Sequence, residues 1–147
     1  MGLIKSIYGK KIFIDTAPLI YYIEGNNIYT QKLNELFSIQ SHCHFITSVI
    51  TLSEVLVKPY REGNARLAKL YEVILTQAEN IDIYEISIQI AEKSALLRAK
   101  YTIKTPDAIQ IATAQYCSVD YFLTNDLRLK SINKLNVITL SEIFCTL

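Results

Sequence analysis

Short apolar runs alternate along this chain with longer stretches of helical periodicity, and no other feature constrains its fold as much. Five runs rich in β-branched and aromatic residues are predicted to be strands: 11–15, 45–47, 81–84, 119–124 and 137–139. Strands that are separated by helices pair in parallel, because a parallel pair needs a crossover connection. The sequence therefore predicts an α/β fold in which a parallel sheet is flanked by helices.

Capping residues and breaks mark the helix boundaries. Thr16-Ala17-Pro18 starts a helix because proline is favoured in a first turn, and Gly25 begins the break that ends it. Thr105-Pro106-Asp107 is a second such start, with Thr105 as the predicted N-cap. Further helices are predicted over 30–39, 49–60, 65–77 and 87–101. The side chains expected to face inward in the helix 87–101 are Ile88, Ile90, Ala91, Ala95 and Leu96.

Composition is that of a globular protein with one domain, 1–147. Half of the 147 residues are hydrophobic and a fifth are charged, which suits a sizeable core. No apolar run approaches the roughly 20 residues of a membrane span. Cys43, Cys117 and Cys145 are far apart and odd in number, which favours reduced thiols over a disulfide framework or a zinc site. We expect a cytoplasmic protein without a membrane segment.

Four acidic residues follow predicted strands or lie at the start of the next helix. Asp15 and Asp126 end strand-like runs, Glu54 lies about one turn inside a helix, and Asp107 lies in a first turn. Each alone has a structural explanation as a cap, a turn residue or a partner of a helix dipole. Ligands of open α/β sheets bind beyond the carboxyl ends of the strands. Carboxylates that share such a place repel one another unless cations lie between them, so the pattern predicts a divalent-metal site.

Basic residues are frequent around these acids, although the net charge of +1 excludes a polycation that coats nucleic acid indiscriminately. Two interpretations stay open for them: a solvated surface, or a positive rim that holds phosphates. Arg98 likewise is either a structural cation near a helix end or a phosphate clamp. The residues concerned are Lys58, Arg61, Arg66, Arg98, Lys100, Lys104, Arg128 and Lys130.

The motifs around the four acids, in order along nearly the whole chain, resemble those of the PIN-domain nucleases. They are Phe13-Ile14-Asp15-Thr16, the run from Ser48 to Glu54, Leu97 to Tyr101 with Thr105-Pro106-Asp107-Ala108, and Leu123-Thr124-Asn125-Asp126. The chain looks most like the toxins of VapBC toxin–antitoxin modules. One departure bears on the local shape of the site and on RNA choice: Arg128-Leu129 stand where the family often has an aromatic residue.

The resemblance implies a three-layer fold, with a central five-stranded parallel sheet and helices on both sides, and an endoribonuclease that depends on Mg²⁺ or Mn²⁺. It assigns catalytic roles to Asp15, Glu54, Asp107 and Asp126. The three aspartates would be the principal metal ligands, and Glu54 would complete the shell or orient the attacking water. Thr16 and Thr124 would support these ligands. The resemblance also implies a homodimer, an RNA substrate and a small antitoxin protein as partner.

Three alternatives to a toxin differ in class. Aspartyl-nucleophile phosphatases also end their first strand in Asp, but they need Asp-x-Asp, and here residue 17 is alanine. A catalytically silent, nucleic-acid- or protein-binding member of the fold would be expected to lack one of the acids, and all four are present. A housekeeping nuclease of RNA processing keeps the same chemistry. Only the neighbouring genes would distinguish it from a toxin.

Overall fold

The structure is a computed structural model that describes residues 2–144. Its strands are β1 (Lys11–Ile14), β2 (His44–Ser48), β3 (Ile81–Tyr84), β4 (Tyr121–Thr124) and β5 (Val137–Thr139). They form one parallel sheet in the order β3-β2-β1-β4-β5. The predicted α/β class with a five-stranded parallel sheet is confirmed.

Helices connect these strands as the capping signals predict. They are α1 (Leu3–Ser6), α2 (Thr16–Glu24), α3 (Thr30–Phe37), α4 (Val49–Arg61), α5 (Ala65–Gln77), α6 (Ile88–Lys100), α7 (Thr105–Tyr116) and α8 (Leu140–Phe144), with 3-10 turns at Ile39–Ser41 and Leu127–Ser131. Gly25 ends α2 with a φ of 89°, a conformation that side chains disfavour. Thr105 is the first residue of α7 and not its cap, because Lys104 occupies the cap position. None of the helices within residues 2–144 is long and apolar enough to span a membrane.

The chain packs as two compact units. One contains the N-terminal part of the chain as far as Phe45 and resumes at Val119, and the other is Ile46–Ser118. In the first unit, β1 pairs with β4 and β4 pairs with β5, both in parallel. The rings of Phe13 and Phe122 stack across the first of these pairs, with centroids 5.0 Å apart. The core of this unit therefore lies along β1 and β4.

The second unit packs α4 against α5 and α6 against α7. Tyr71 and Leu75 of α5 are fully buried, as is Ile111 of α7. The inward face predicted for α6 is largely wrong, because Ile88 and Leu96 are 75% and 72% exposed. The buried residues of α6 are instead Ile90, Ser94 and Leu97.

The described cysteines take part in no disulfide. Cys43 and Cys117 are both buried thiols. Cys145 lies outside the described residues, so its predicted state stays a prediction.

Candidate active site

Asp15 lies at the point where β1 ends and α2 begins. Its backbone N–H donates to the carbonyl of Leu123 at 2.9 Å, which continues the β1–β4 pairing by one residue. Its Oδ1 accepts a hydrogen bond from the backbone N–H of Thr16 at 2.9 Å, so the side chain also caps α2. Capping of α2 accounts for Oδ1 of Asp15 alone. Oδ2 has a separate hydrogen-bond partner, which indicates a further role for the carboxylate.

Thr124 connects Asp15 with Asp126 through a single hydroxyl group. The hydroxyl donates to Oδ2 of Asp15 at 2.8 Å and accepts from the backbone N–H of Asp126 at 3.1 Å. Thr124 is completely buried at the end of β4, which fixes its orientation. Thr124 thus links the carboxylate of Asp15 to the backbone of Asp126 at the carboxyl ends of adjacent strands.

Asp126 is held by Arg128, two residues further along the chain. Oδ1 accepts from the backbone N–H and from Nε of Arg128, each at 3.0 Å, and Oδ2 accepts from Nη2 at 2.7 Å. The side-chain hydrogen bond from Arg128 holds the pKa of Asp126 below its ordinary value, against the opposing effect of burial. Asp126 is therefore a carboxylate at neutral pH.

Glu54 and Asp107 belong to the second unit. Ser48 caps α4 by accepting from the N–H of Ile50 at 3.1 Å, so the helix begins well before Thr51. The capping-box explanation for Glu54 is therefore excluded, and Glu54 is an exposed residue inside the helix. Asp107 is half-buried in the first turn of α7, where the helix dipole stabilises a carboxylate.

A buried polar network holds α7 against the start of α4. Ser48 donates its hydroxyl hydrogen to Oε1 of Gln110, and Nε2 of Gln110 donates to the hydroxyl of Thr51 at 2.6 Å. Thr47 donates to the same Thr51 oxygen at 2.8 Å. All four side chains are almost completely buried. Sequence reasoning missed Gln110, and the only signal was its position one helical turn after Asp107.

Arg98 occupies a structural position in the last turn of α6. Its Nε donates to the backbone carbonyl of Ile103 at 3.4 Å, and its side chain is otherwise exposed. This contact favours the structural interpretation of Arg98 over the phosphate clamp.

The donor chemistry of the Asp15–Asp126 pair fits Mg²⁺ or Mn²⁺. These ions prefer oxygen ligands, and Mg²⁺ usually takes one or two carboxylates together with water and phosphate oxygens. Within the described part of the chain, no group of three or more His, Cys, Asp or Glu side chains is arranged to hold a metal ion. That Glu54 and Asp107 share a site with the other two acids stays a prediction.

Known structures with the same fold include several from toxin–antitoxin systems. A chain of the toxin–antitoxin complex from Klebsiella pneumoniae is 28% identical to this one, with a TM-score of 0.68 over 88% of this chain and 97% of that chain. VapBC2 from Rickettsia felis, bound to a DNA fragment from its promoter, gives 16% identity and a TM-score of 0.70 over 88% and 98% of the two chains. The sarcin–ricin-loop-cleaving toxin VapC20 of Mycobacterium tuberculosis gives 14% and 0.65 over 85% and 98%. At such low identity the last two show the fold alone.

Sequence comparison gives a more specific result. No curated protein matches the chain. The family model of the PIN domain, however, matches residues 12–135, which include Asp15, Glu54, Asp107 and Asp126. The match covers far more than half of the chain, and the parallel sheet is the one that the family requires. The chain therefore belongs to the PIN-domain family.

Proposed function

We propose that this protein is a divalent-metal-dependent endoribonuclease and the toxin of a toxin–antitoxin pair. The observation that carries the proposal is the Thr124 hydroxyl, which donates to the carboxylate of Asp15 and accepts from the backbone N–H of Asp126 at the edge of a parallel sheet. Carboxylates at this edge of the sheet suit a divalent cation. Membership of the PIN-domain family supports nuclease chemistry. The likeness to the toxin–antitoxin complex from Klebsiella pneumoniae supports the toxin role.

Asp15, Asp107 and Asp126 would hold the cation in this mechanism. When bound, a divalent ion makes water a stronger nucleophile and stabilises charge on the phosphate. Thr16 and Thr124 fix the two oxygens of Asp15, so that the carboxylate is oriented before substrate arrives. Glu54 is exposed to solvent, as a residue that orients the attacking water has to be. Attack in line on phosphorus leaves a 5′-phosphate and a 3′-hydroxyl.

The substitution Asp15→Asn tests the chemistry because it removes charge and nearly preserves shape. Asparagine retains one oxygen that can accept from the N–H of Thr16, so α2 stays capped. We expect the purified wild type to cut RNA with Mg²⁺ or Mn²⁺ and to stop with chelator. Asp15→Asn should lose activity by at least about 100-fold, the upper end of effects seen when even an outer-shell partner is lost.

Asp82→Asn provides the matched control, since Asp82 is an exposed aspartate at β3 and outside the four acids. It should cleave RNA at the wild-type rate. Equal cleavage by wild type and Asp15→Asn, in preparations shown to be free of contaminating nuclease, contradicts the mechanism.

The toxin role is tested by expression in cells. Wild-type protein should slow growth, Asp107→Asn should not, and co-expression of the adjacent gene product should restore growth. If the wild type slows growth no more than Asp107→Asn, the toxin assignment fails. A housekeeping RNA-processing nuclease, which shares all four acids, then becomes the better assignment.

A further inference from the structure

Arg128 occupies both oxygens of the Asp126 carboxylate. Three of its N–H groups donate: the backbone N–H reaches Oδ1, Nη2 reaches Oδ2, and the single hydrogen of Nε is shared between the two oxygens. A carboxylate offers roughly four lone-pair sites. Since a divalent cation binds through the same lone pairs, the guanidinium and the cation compete for Asp126.

The side chain of Arg128 can leave Asp126 without disturbing the core. It is 82% exposed, whereas Asp126 is 26% exposed. The backbone of Arg128 takes part in the 3-10 turn Leu127–Ser131, and the hydrogen bond from its N–H to Asp126 does not depend on the side chain. Exchange of the guanidinium therefore leaves the cap of the turn in place.

We propose that Arg128 is an internal counterion that releases Asp126 when a divalent cation binds there and then holds a phosphate of the RNA. The inference rests on the proposed function. Two oxygens of a phosphate can accept from the planar guanidinium fork as the two oxygens of a carboxylate do, so Arg128 exchanges one bidentate partner for another.

Lys130 provides a matched control from the same 3-10 turn. It carries the same charge two residues further on, but it pairs with Glu142 of α8 and not with Asp126. Lys130→Gln therefore removes one positive charge close to Arg128 without removing a hydrogen bond to the carboxylate of Asp126. Arg128→Lys complements it, because it keeps the charge and loses the planar fork.

The first measurement is Mn²⁺ affinity of the RNA-free protein at constant ionic strength, by titration calorimetry or the electron paramagnetic resonance of unbound Mn²⁺. We expect Arg128→Gln to bind Mn²⁺ about three- to fivefold more tightly than wild type, as befits loss of an exposed ion pair. Arg128→Lys should also bind more tightly than wild type, and Lys130→Gln should change affinity by less than about twofold. The inference is overturned if Arg128→Gln binds Mn²⁺ with the wild-type affinity, or if Lys130→Gln gains as much affinity for Mn²⁺ as Arg128→Gln.

The second measurement is the salt dependence of RNA binding, taken as KM for single-stranded RNA at saturating Mn²⁺. Loss of one phosphate contact lowers the slope of log affinity against log salt by about 0.7 for single strands. We expect this decrease for Arg128→Gln together with a raised KM, and no decrease for Lys130→Gln. A purely structural pair would leave the slope unchanged, and that result overturns the phosphate role.

The outcomes separate this inference from the proposed function. If folded wild type and all variants bind no Mn²⁺ at millimolar concentration, the metal-dependent function and the counterion role both fail. If they all bind Mn²⁺ with one affinity and cleave RNA, the function stands and the role of Arg128 fails.

Discussion

Single polar atoms organise the candidate site. The hydroxyl of Thr124 donates to the carboxylate of Asp15 and accepts from the backbone N–H of Asp126. The guanidinium of Arg128 donates to the carboxylate of Asp126. The sequence correctly predicts that Asp15 and Asp126 follow the ends of strands, because a strand end is visible as the end of an apolar run. It does not show the partner of Arg128, since an exposed arginine beside an acid is equally typical of a solvated surface.

Thr124→Val tests the hydroxyl with almost no change of shape. We expect metal affinity or activity to fall about 10–100-fold, because outer-shell partners orient their ligands to this extent. The N–H of Asp126 also loses its acceptor, so unfolding should become easier by about 1 kcal/mol. Thr124→Ser keeps the hydroxyl and should retain most Mn²⁺ binding. If valine and serine variants bind Mn²⁺ equally well, the hydroxyl has no part in the site.

The pairing of Asp126 with Arg128 also predicts a pH dependence of stability. Because the pKa of Asp126 is lowered in the folded protein, its stabilising effect is present above the ordinary value of 3.8 and is lost as the pH falls through the lower folded value. The pair is exposed, so Arg128→Gln should reduce the free energy of unfolding by about 0.2–1 kcal/mol at pH 7. Urea unfolding at pH 7, 5 and 3 checks this. The difference between the two proteins should be equal at pH 7 and 5 and smaller at pH 3.

At the scale of helices and strands, turn and capping signals predict boundaries better than apolar spacing predicts faces. α5 and β5 have the predicted ends. α6 has apolar residues on more than one side, so the spacing of its sequence does not identify a single buried face. Ser94 is buried in it because its hydroxyl donates to the carbonyl of Ala91 at 2.7 Å. Burial there is decided by packing against α7, which lies beyond local sequence.

Gln110 illustrates a residue whose role depends on distant partners. Ser48 and Thr51 lie far from it in sequence, so no local pattern reveals the network. Gln110→Leu removes one hydrogen bond from each of two buried hydroxyl groups, those of Ser48 and Thr51, and each such loss costs about 1 kcal/mol. We expect a clear loss of stability in urea unfolding.

Thr113→Val is the control for Gln110→Leu on the same helix. Thr113 is equally buried, but its hydroxyl only donates to the carbonyl of Ile109 within α7. That carbonyl keeps its helical hydrogen bond, so the substitution should cost less than about 1 kcal/mol. Equal destabilisation by the two substitutions would show that the network has no special role.

On the scale of the whole molecule, large exposed apolar side chains favour the homodimer that the family resemblance implies. Ile88 and Leu96 are two turns apart on α6, and Ala95 and Ala99 are exposed there as well. An obligate dimer buries a surface of this kind. We expect Leu96→Lys to convert a dimer into a monomer in light scattering at micromolar concentration. Ile39→Lys, at the most exposed apolar side chain in the described chain, should leave the dimer intact. Wild-type protein that is monomeric throughout contradicts the prediction.

Because the first unit is discontinuous in sequence and the second is continuous, the two units are completed at different times during synthesis. Thr124 follows its partner Asp15 by 109 residues, whereas Ile46–Ser118 is continuous. The continuous unit can fold while the chain is still growing, and pairing of β1 with β4 has to wait until β4 has been synthesised. At roughly 5–20 residues per second, that interval lasts from about five to twenty seconds. A nascent chain therefore lacks the hydrogen bond between Thr124 and Asp15 until β4 has been synthesised.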